Sequence, residues 1–361
     1  MVKYPAYYLA LEKKAFQSEH GRGRNDKRKS EGSRKILHMD PFLKDIGRIL
    51  NSKALRRLQK KTQVAYLPDS PYVRNRLIHT TEVAQAATTI SASLGLNLYL
   101  TQAIAWGHDL GHVALGHEGE DLLSELLGKE FKHEKFGPFV LQYIEYQGKG
   151  LNLNFETLQG ISFHSSGTGP MQIIPDEYPN EYSAVMYADK MAYLLSDIND
   201  LTRAGLNFKP PVELLQELGP TQEARLNRCI RALCKESAAA GRVLFTKSRE
   251  AKIIAELKAY MYKNGYPLFK PTRQGPLQLI TWVVEFLAEQ PEWNIRKAVL
   301  AVALMTEEEI QRVGSLLLSG KMGPKEIMRR LQDKKQFGIG EVWPVIEGAS
   351  KMDFTDPHLK W

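Results

Sequence analysis

The sequence lacks long apolar runs and a cysteine framework, and its first residues lack the apolar run that is typical of a secretory leader. No apolar stretch approaches the ~20 residues that a membrane-spanning helix needs, which argues against a membrane protein. Charged residues interrupt residues 1–14, so we expect no signal peptide. Only two cysteines, Cys229 and Cys234, occur among 361 residues, which excludes a disulfide framework and favours a reducing compartment. We therefore expect a cytoplasmic globular protein that makes no membrane contacts.

Acidic residues are also in deficit. Lysine and arginine number 49 against 41 aspartates and glutamates, giving a formal net charge of +8. This excess favours anionic partners, either nucleic acid or phosphorylated small molecules. Part of it lies in a segment with few apolar residues, which contains Arg22, Arg24, Lys27, Arg28, Lys29, Arg34 and Lys35. The segment is either a mobile arm that contacts phosphates, such as those of single-stranded nucleic acid, or a solvated loop without a role.

No strand series of regular spacing, heptad run or internal repeat is present, and apolar residues instead recur at steps of three to four. That period is typical of helices that bury one face. It predicts helices over residues 41–58, 76–94, 98–107, 120–127, 139–144, 156–164, 181–204, 212–218, 226–233, 253–261, 277–287, 295–305 and 310–318. We expect His133 to lie in a connection and residues 337–361 to form a terminal coil or cover. The predicted fold class is all-α, an irregular multi-helix bundle.

Histidines and acids are concentrated between Trp106 and Glu120. The segment carries His108, Asp109, His112, His117 and Glu120, separated by glycines. An adjacent His-Asp pair at the end of an apolar helix can give one metal ion a nitrogen and an oxygen ligand. The alternative is a polar surface loop, which the density of potential ligands disfavours. His117 and Glu120 are three residues apart, so they meet if the segment is helical there.

The predicted helix over residues 181–204 supplies further polar groups. Asp189, Tyr193 and Asp197 are spaced by four residues and share one face, with Lys190 beside them. Acids on helices usually face solvent, and that alternative fits Asp197. Asp189 instead lies among small apolar residues, where a buried carboxylate needs a partner such as a cation.

His79, the pair His108-Asp109 and Asp189 occur in this order on successive predicted helices. The order resembles the His…His-Asp…Asp signature of HD-domain phosphohydrolases. Five collinear segments also resemble the dGTPase-like dNTP triphosphohydrolases, namely residues 40–64, 74–86, 103–120, 150–160 and 187–206. The chain departs from the family at Val113-Ala114-Leu115 and at Phe131-Lys132-His133-Glu134, where relatives usually have Pro-Pro-Phe or Gly-Pro-Phe and Phe-Glu-His-Asn. Residues 212–361 contain no motif that we can match.

The resemblance implies a metal centre and a catalytic group. Its expected ligands to one divalent ion are His79, His108, Asp109 and Asp189. Two imidazoles and two carboxylates suit Mn²⁺, Fe²⁺, Co²⁺ or Zn²⁺, with Mg²⁺ as an alternative, and we expect Mn²⁺ or Mg²⁺ to support activity. The resemblance also implies a catalytic dyad with two imidazoles at the α-phosphate, comprising His117 and Glu120 together with His112 and His133.

The resemblance further implies contacts to the nucleotide. Arg76 and Lys190 match phosphate-binding residues, Tyr193 matches a tyrosine that packs against deoxyribose, and Gln63 and Asp197 match groups that bind the 3′-hydroxyl. Individually, each residue has an ordinary alternative, such as core packing or a surface ion pair. His164 is either a pocket contact or a loop residue.

These expectations combine into one hypothesis, a metal-dependent dNTP triphosphohydrolase that releases a deoxynucleoside and inorganic triphosphate. Two alternatives stay open: an HD-domain phosphohydrolase acting on nucleoside monophosphates or other esters, and a basic nucleic-acid-binding or nucleotide-sensing protein with a regulatory HD site. The expected organisation is an N-terminal segment with the basic arm (1–39), the HD core (40–210) and a helical C-terminal region packed on it (211–361). The resemblance also implies a homo-oligomer, tetrameric or hexameric, and a nucleotide as allosteric effector.

Overall fold

The computed structural model of the chain describes residues 4–21, 40–63, 73–165, 173–204, 207–357 and 359. Within these ranges the regular structure is helical, apart from one isolated bridge between Thr62 and Asn75. The prediction of an all-α fold is therefore confirmed. The α-helices of these ranges are α1 (Pro41–Leu50), α2 (Lys53–Arg57), α3 (Arg76–Leu94), α4 (Leu98–Gly107), α5 (Gly116–Leu127), α6 (His133–Phe139), α7 (Phe155–Phe163), α8 (Asn180–Arg203), α9 (Val212–Leu218), α10 (Gln222–Ala240), α11 (Arg249–Tyr260), α12 (Lys270–Ala288), α13 (Ile295–Leu304), α14 (Glu307–Ser319), α15 (Pro324–Gln332) and α16 (Trp343–Ala349).

Side-chain caps fix where the helices around the site begin. Asp40 accepts hydrogen bonds from the backbone of Phe42 and Leu43 at the start of α1, and Pro41 occupies the first turn. Asn75 caps α3 and Asn97 caps α4 in the same way. These residues satisfy backbone N–H groups that a helix leaves unpaired at its first turn. The predicted starts of α1, α3 and α4 are confirmed.

Helix α8 lies at the centre of the fold. It packs against α3, α4, α7, α10 and α11, so side chains on all of its sides are buried. The buried set includes charged residues, among them Glu181, Lys190, Asp197 and Asp200. Because α3 and α4 lie against the same helix, the residues at their ends come close to the acids of α8.

The C-terminal helices pack on the region that contains the His-Asp pair. Helices α12 and α13 both contact α5, and α14 packs against α12. Buried apolar side chains from Leu11 to Phe354 form one continuous cluster. The division at residues 210 and 211 stays a prediction, and the seven basic residues of the predicted arm lie outside the described residues. No helix in the described ranges combines the length and the hydropathy that crossing a bilayer requires.

Two predictions of local structure are wrong. His133 is the first residue of α6 and does not lie in a connection. The helix predicted over residues 139–144 is present, as the π-helical continuation of α6 over Val140–Ile144. The predicted coil over residues 337–361 contains α16, and α15 was not predicted. Glycines and prolines obscured α6 and α16. The proline of α16 lies in its first turn, where proline is tolerated, whereas Pro138 lies inside α6, where packing outweighs local propensity.

Candidate active site

Four side chains from three helical segments converge on one point. His79 of α3 has its Nε2 3.5 Å from His108 Nε2 and 3.0 Å from Asp189 Oδ1 of α8. Asp109 follows α4 and places its Oδ1 3.5 Å from His108 Nε2 and its Oδ2 3.8 Å from His79 Nε2. Asp189 Oδ1 is also 3.8 Å from His108 Nε2. Two nitrogen and two carboxylate ligands therefore face a common centre.

The chemistry of this set fits a divalent cation. His108 Nδ1 lies 2.7 Å from the carbonyl oxygen of Ala105, to which it donates, so Nε2 is the unprotonated atom that faces the centre. Burial lowers the pKa of His108, which keeps the imidazole neutral. Burial opposes ionisation of Asp189, but its hydrogen bond with His79 and the surrounding imidazoles outweigh burial and lower the pKa of Asp189 to about 2. Ligand atoms of His79, His108 and Asp109 lie within 4.8 Å of one another, as one shared ion requires.

Glu120 of α5 organises a second group of imidazoles beside the first. Its Oε1 lies 2.9 Å from His133 Nδ1 and 3.0 Å from His112 Nδ1, and its Oε2 lies 3.5 Å from His117 Nδ1. The rings of His112 and His133 are stacked with their centroids 3.6 Å apart. His117 is 67% exposed, whereas Glu120 is buried. The structure thus brings His117 and Glu120 together, and the carboxylate is shared with two further imidazoles.

His164 continues this group into the interior. Its Nδ1 donates to the carbonyl oxygen of Ile161 at 2.6 Å, so its Nε2 is the acceptor that lies 3.1 Å from His133 Nε2. His133 then donates through both nitrogens, to Glu120 and to His164. Burial opposes protonation of His133, but Glu120 outweighs burial and raises the pKa to about 9. Of the two alternatives for His164, the structure favours the pocket contact, because this residue is buried against His133 and the ring of His108.

Glycine allows the two histidine groups to approach each other. A Cβ on Gly111 would lie 2.0 Å from the carbonyl oxygen of His133 and 2.4 Å from the backbone nitrogen of Gly137. Both clashing atoms belong to the backbone of α6, so a side chain at residue 111 would push α6 away. The glycine between Asp109 and His112 therefore fixes how closely His133 approaches the metal-binding corner.

The two predicted phosphate-binding cations are buried at the same site. Arg76 donates from Nη1 to Asp109 Oδ2 at 3.0 Å, and its Nη2 lies 3.5 Å from the carbonyl oxygen of Gln63. Lys190 follows Asp189 on α8, and burial together with the charge of Lys258 lowers the pKa of Lys190 to about 8. Neither residue is therefore the surface group that the ordinary alternatives describe.

The predicted sugar-binding residues lie one and two turns further along α8. Asp197 accepts hydrogen bonds from Arg74 Nη2 and from the hydroxyl of Tyr266, the latter at 3.0 Å. Burial raises the pKa of Asp197 to about 6, although Arg74 opposes this shift. The half-buried Tyr193 stays a neutral phenol, since burial and Tyr262 raise its pKa well above the ordinary value. Gln63 contributes a buried side-chain oxygen that has no hydrogen-bond partner among the described residues.

Sequence reasoning missed two residues that support this face of α8. Arg74 binds three carboxylates, with Nε 2.7 Å from Asp200 Oδ2, Nη1 2.7 Å from Glu82 Oε2 and Nη2 on Asp197. The sequence did contain a signal for the contacts of Arg74. This arginine lies beside the start of α3, and α8 carries two acids three residues apart, Asp197 and Asp200. Tyr266 follows α11 in the region without a recognisable motif, so the sequence offered no signal for its contact with Asp197.

Comparison with known proteins agrees with this geometry. An HD domain matches residues 76–194, which span the helices that carry all four converging residues. HD domains bind divalent metals, and the class of protein is therefore an HD-superfamily hydrolase.

Curated relatives narrow the class. A deoxyguanosinetriphosphate triphosphohydrolase-like protein of Clostridium tetani is 40% identical over 256 residues, covering 69% of this chain and 72% of the relative. A protein of the same description from Caldanaerobacter subterraneus is 38% identical over 263 residues, covering 72% and 73%. One from Clostridium perfringens is 42% identical over 192 residues, covering 53% and 55%. The chain belongs to the family of deoxyguanosinetriphosphate triphosphohydrolase-like proteins.

Proposed function

We propose that this hydrolase is a metal-dependent dNTP triphosphohydrolase, which converts a dNTP and water into a deoxynucleoside and inorganic triphosphate. The observation that carries the proposal is the convergence of His79, His108, Asp109 and Asp189 beside the imidazoles around Glu120. The relatives' designation as deoxyguanosinetriphosphate triphosphohydrolase-like proteins supports the same reaction class. The expected homo-oligomer, allosteric nucleotide and single-stranded nucleic acid partner stay predictions.

In this proposal His79, His108, Asp109 and Asp189 hold one divalent ion. When bound, such an ion supplies Lewis acidity toward a phosphate oxygen. Mn²⁺ and Mg²⁺ are the ions that we expect to support activity. Arg76 and Lys190 supply positive charge for a triphosphate that carries about four negative charges near neutral pH.

The imidazoles around Glu120 act on protons and on the α-phosphate. His117 exchanges protons at the reacting phosphate, because it is exposed and its Nδ1 faces the buried carboxylate of Glu120. His133 is a cation at neutral pH and reaches a phosphate oxygen by exchanging its Nε2 contact with His164 for that oxygen. Burial and Arg76 lower the pKa of His112 to about 3, so this imidazole is neutral, and it donates to the α-phosphate by exchanging its Nε2 contact with Asp109 Oδ1 for a phosphate oxygen.

The sugar is recognised by groups on α8 and by Gln63. Tyr193 packs against the deoxyribose, and Asp197 and Gln63 bind its 3′-hydroxyl. A carboxylate offers about four acceptor positions. Arg74 and Tyr266 fill two of them at Asp197, and this leaves capacity for a hydroxyl donor. A nucleotide without that hydroxyl leaves buried polar groups unpaired, which disfavours its binding.

The test incubates the purified protein with each of the four dNTPs and either Mn²⁺ or Mg²⁺ in ¹⁸O-water. Deoxynucleoside and triphosphate are the expected products, with ¹⁸O in the triphosphate because water attacks the α-phosphorus and the bond to the 5′-oxygen breaks. A deoxynucleoside monophosphate with pyrophosphate, or turnover of nucleoside monophosphates alone, contradicts the proposed reaction.

Two variants separate the proposed roles. Asp109→Ala is expected to lose both bound metal and turnover, and it controls for contaminating phosphatases. His117→Ala is expected to keep its metal while kcat falls about 10²–10⁴-fold, the contribution of general acid–base catalysis. Elemental analysis and the product assay measure both quantities, and normal turnover by His117→Ala would remove the dyad from the mechanism.

A further inference from the structure

One carboxylate of the C-terminal region contacts both loops that flank the site. Glu307 is the first residue of α14, and its Oε1 accepts hydrogen bonds from the backbone N–H of Thr62 and of Leu115, each at 3.0 Å. Thr62 precedes Gln63, the proposed sugar contact. Leu115 lies between His112 and His117. Oε1 of Glu307 therefore joins the loop at Gln63 to the loop between His112 and His117, and in the proposed function a nucleotide lies between these loops.

The loop at Leu115 depends on this contact. Leu115 adopts a left-handed backbone conformation, with φ of +64°, which is unfavourable for a branched side chain. It occupies the position before α5 where a polar side chain commonly caps a helix, and it offers no such cap. Its N–H is buried, and a buried donor without an acceptor is costly. Glu307 supplies that acceptor from a helix distant in the sequence.

Neighbouring contacts hold the same loop from the same side. Lys61, next to Thr62, donates from Nζ to the carbonyl oxygen of His112. Arg273 of α12 forms an ion pair with Glu118 of α5, with Nη1 and Oε2 2.9 Å apart. The loop that carries the proposed catalytic imidazoles is therefore fixed against α12 and α14. Two side chains link it to the Gln63 loop, Lys61 through His112 and Glu307 through Leu115, and Glu307 accepts a backbone hydrogen bond from each loop.

We propose that Glu307 is a positioning residue for the hydrolytic reaction, setting the spacing between the sugar-binding loop at Gln63 and the catalytic loop at His112 and His117. This inference rests on the proposed function, because the sugar and the α-phosphate of one nucleotide must meet both loops at once. If one loop is displaced by about 1 Å relative to the other, the rate of the reaction can fall about a hundredfold, even though the change lies away from the reacting atoms. Glu307 touches no reacting atom and acts through the backbone of the two loops.

Three substitutions and one control test the proposal. Glu307→Ala removes the acceptor, Glu307→Asp withdraws it by one methylene group, and Glu307→Gln keeps a neutral acceptor at the same reach. Glu308→Ala is the matched control, since Glu308 is 55% exposed and pairs with the exposed Lys60 at 3.0 Å. All four proteins are compared with the wild type for kcat and KM on dNTPs, for metal content, and for amide hydrogen exchange around Thr62 and Leu115.

We expect the alanine and aspartate variants to keep their metal, to exchange both segments faster and to lose about ten- to a hundredfold in kcat. The glutamine variant should retain most of the wild-type kcat, and Glu308→Ala should match the wild type throughout. If the alanine variant does not fold, the aspartate variant decides. Unchanged kcat in the aspartate variant, unchanged exchange in both segments, or a glutamine variant as impaired as aspartate would overturn the proposal.

Hydrogen exchange separates this inference from the proposed function. If the wild type hydrolyses no dNTP, the proposed reaction is wrong, and the proposed effect of Glu307 on kcat is wrong as well. Faster exchange around Thr62 and Leu115 in the aspartate variant would still show that Glu307 joins the two loops. If dNTPs are hydrolysed normally by every variant, the reaction stands and Glu307 is not a positioning residue.

Discussion

Buried charges at this site are stabilised by shared partners. Glu120 faces three imidazoles, and Arg74 binds Glu82, Asp197 and Asp200. Removing one member of such a group leaves the others buried without compensation, which costs more than the group contributes as a whole. The consequences of a substitution therefore depend on how deeply the partners that remain are buried.

Arg74→Ala is expected to lower the free energy of unfolding by about 3–5 kcal/mol, because Asp197 and Asp200 would lose the buried cation that they share. The matched control is Arg203→Ala. Arg203 is an exposed residue whose Nη1 lies 3.5 Å from Asp200 Oδ1. Its loss should cost about 0–1 kcal/mol, as is usual for a surface pair. Chemical denaturation measures both, and equal losses would contradict the expectation.

His133 is expected to make stability depend on pH. Its pKa in the folded protein is raised from 6.5 to about 9, so its contribution is fully present below pH 6.5 and is lost as the pH rises through 9. The free-energy difference between the wild type and His133→Asn should therefore be largest below pH 6.5 and should shrink towards pH 9. His20→Asn, at an exposed histidine, is the control. A difference that is constant or grows with pH would exclude this role.

At the scale of elements, close backbone approach decides the geometry of the site. Helix α6 reaches the His-Asp corner only because residue 111 has no Cβ. The sequence shows a glycine at residue 111 but not why glycine is needed there. A side chain at this position would clash with the backbone of α6, whose position depends on helix packing. Helix starts such as Asp40, Asn75 and Asn97 were predictable because each cap acts within its own few residues.

Gly111→Ala is expected to destabilise the fold by about 3 kcal/mol or more, because its Cβ would overlap two backbone atoms that cannot rotate away. Gly47→Ala in α1 is the matched control, since its Cβ would meet nothing within 4 Å. That substitution should stabilise the protein by about 0.5–1 kcal/mol through helix propensity. Thermal and denaturant unfolding compare the two, and a Gly111→Ala protein of wild-type stability would refute the close approach.

For the whole molecule, the order of His79, His108, Asp109 and Asp189 along the chain and its resemblance to the HD signature predicted a common site, because each residue lies on or directly after a predicted helix. The contacts of Arg74, Tyr266 and Glu307 were not predictable. They join segments far apart in sequence, and their pairing is set by how helices pack rather than by any local pattern. Helix α15 escaped prediction for a related reason, since its nine residues bury little more than Ile327 and Leu331.

Metal removal is expected to destabilise the whole fold, because the proposed ligands belong to three segments of the core. An ion that binds the folded chain alone raises the free energy of unfolding by about 2.7 kcal/mol at a hundred times its dissociation constant. Chelation should lower the Tm, and added Mn²⁺ should restore it in the wild type but not in Asp109→Ala. Identical melting curves with chelator and with metal would argue against an ion shared by these segments.

Of the six histidines gathered here, only His117 is largely open to water. His117 is therefore the imidazole of this cluster that can exchange protons directly with bulk solvent. A product that stays bound over His117 after bond cleavage would block proton exchange between this imidazole and bulk solvent. In the proposed reaction, the polyphosphate is the product most able to do so. Accumulating triphosphate should therefore slow turnover in the proposed reaction more than accumulating deoxynucleoside does.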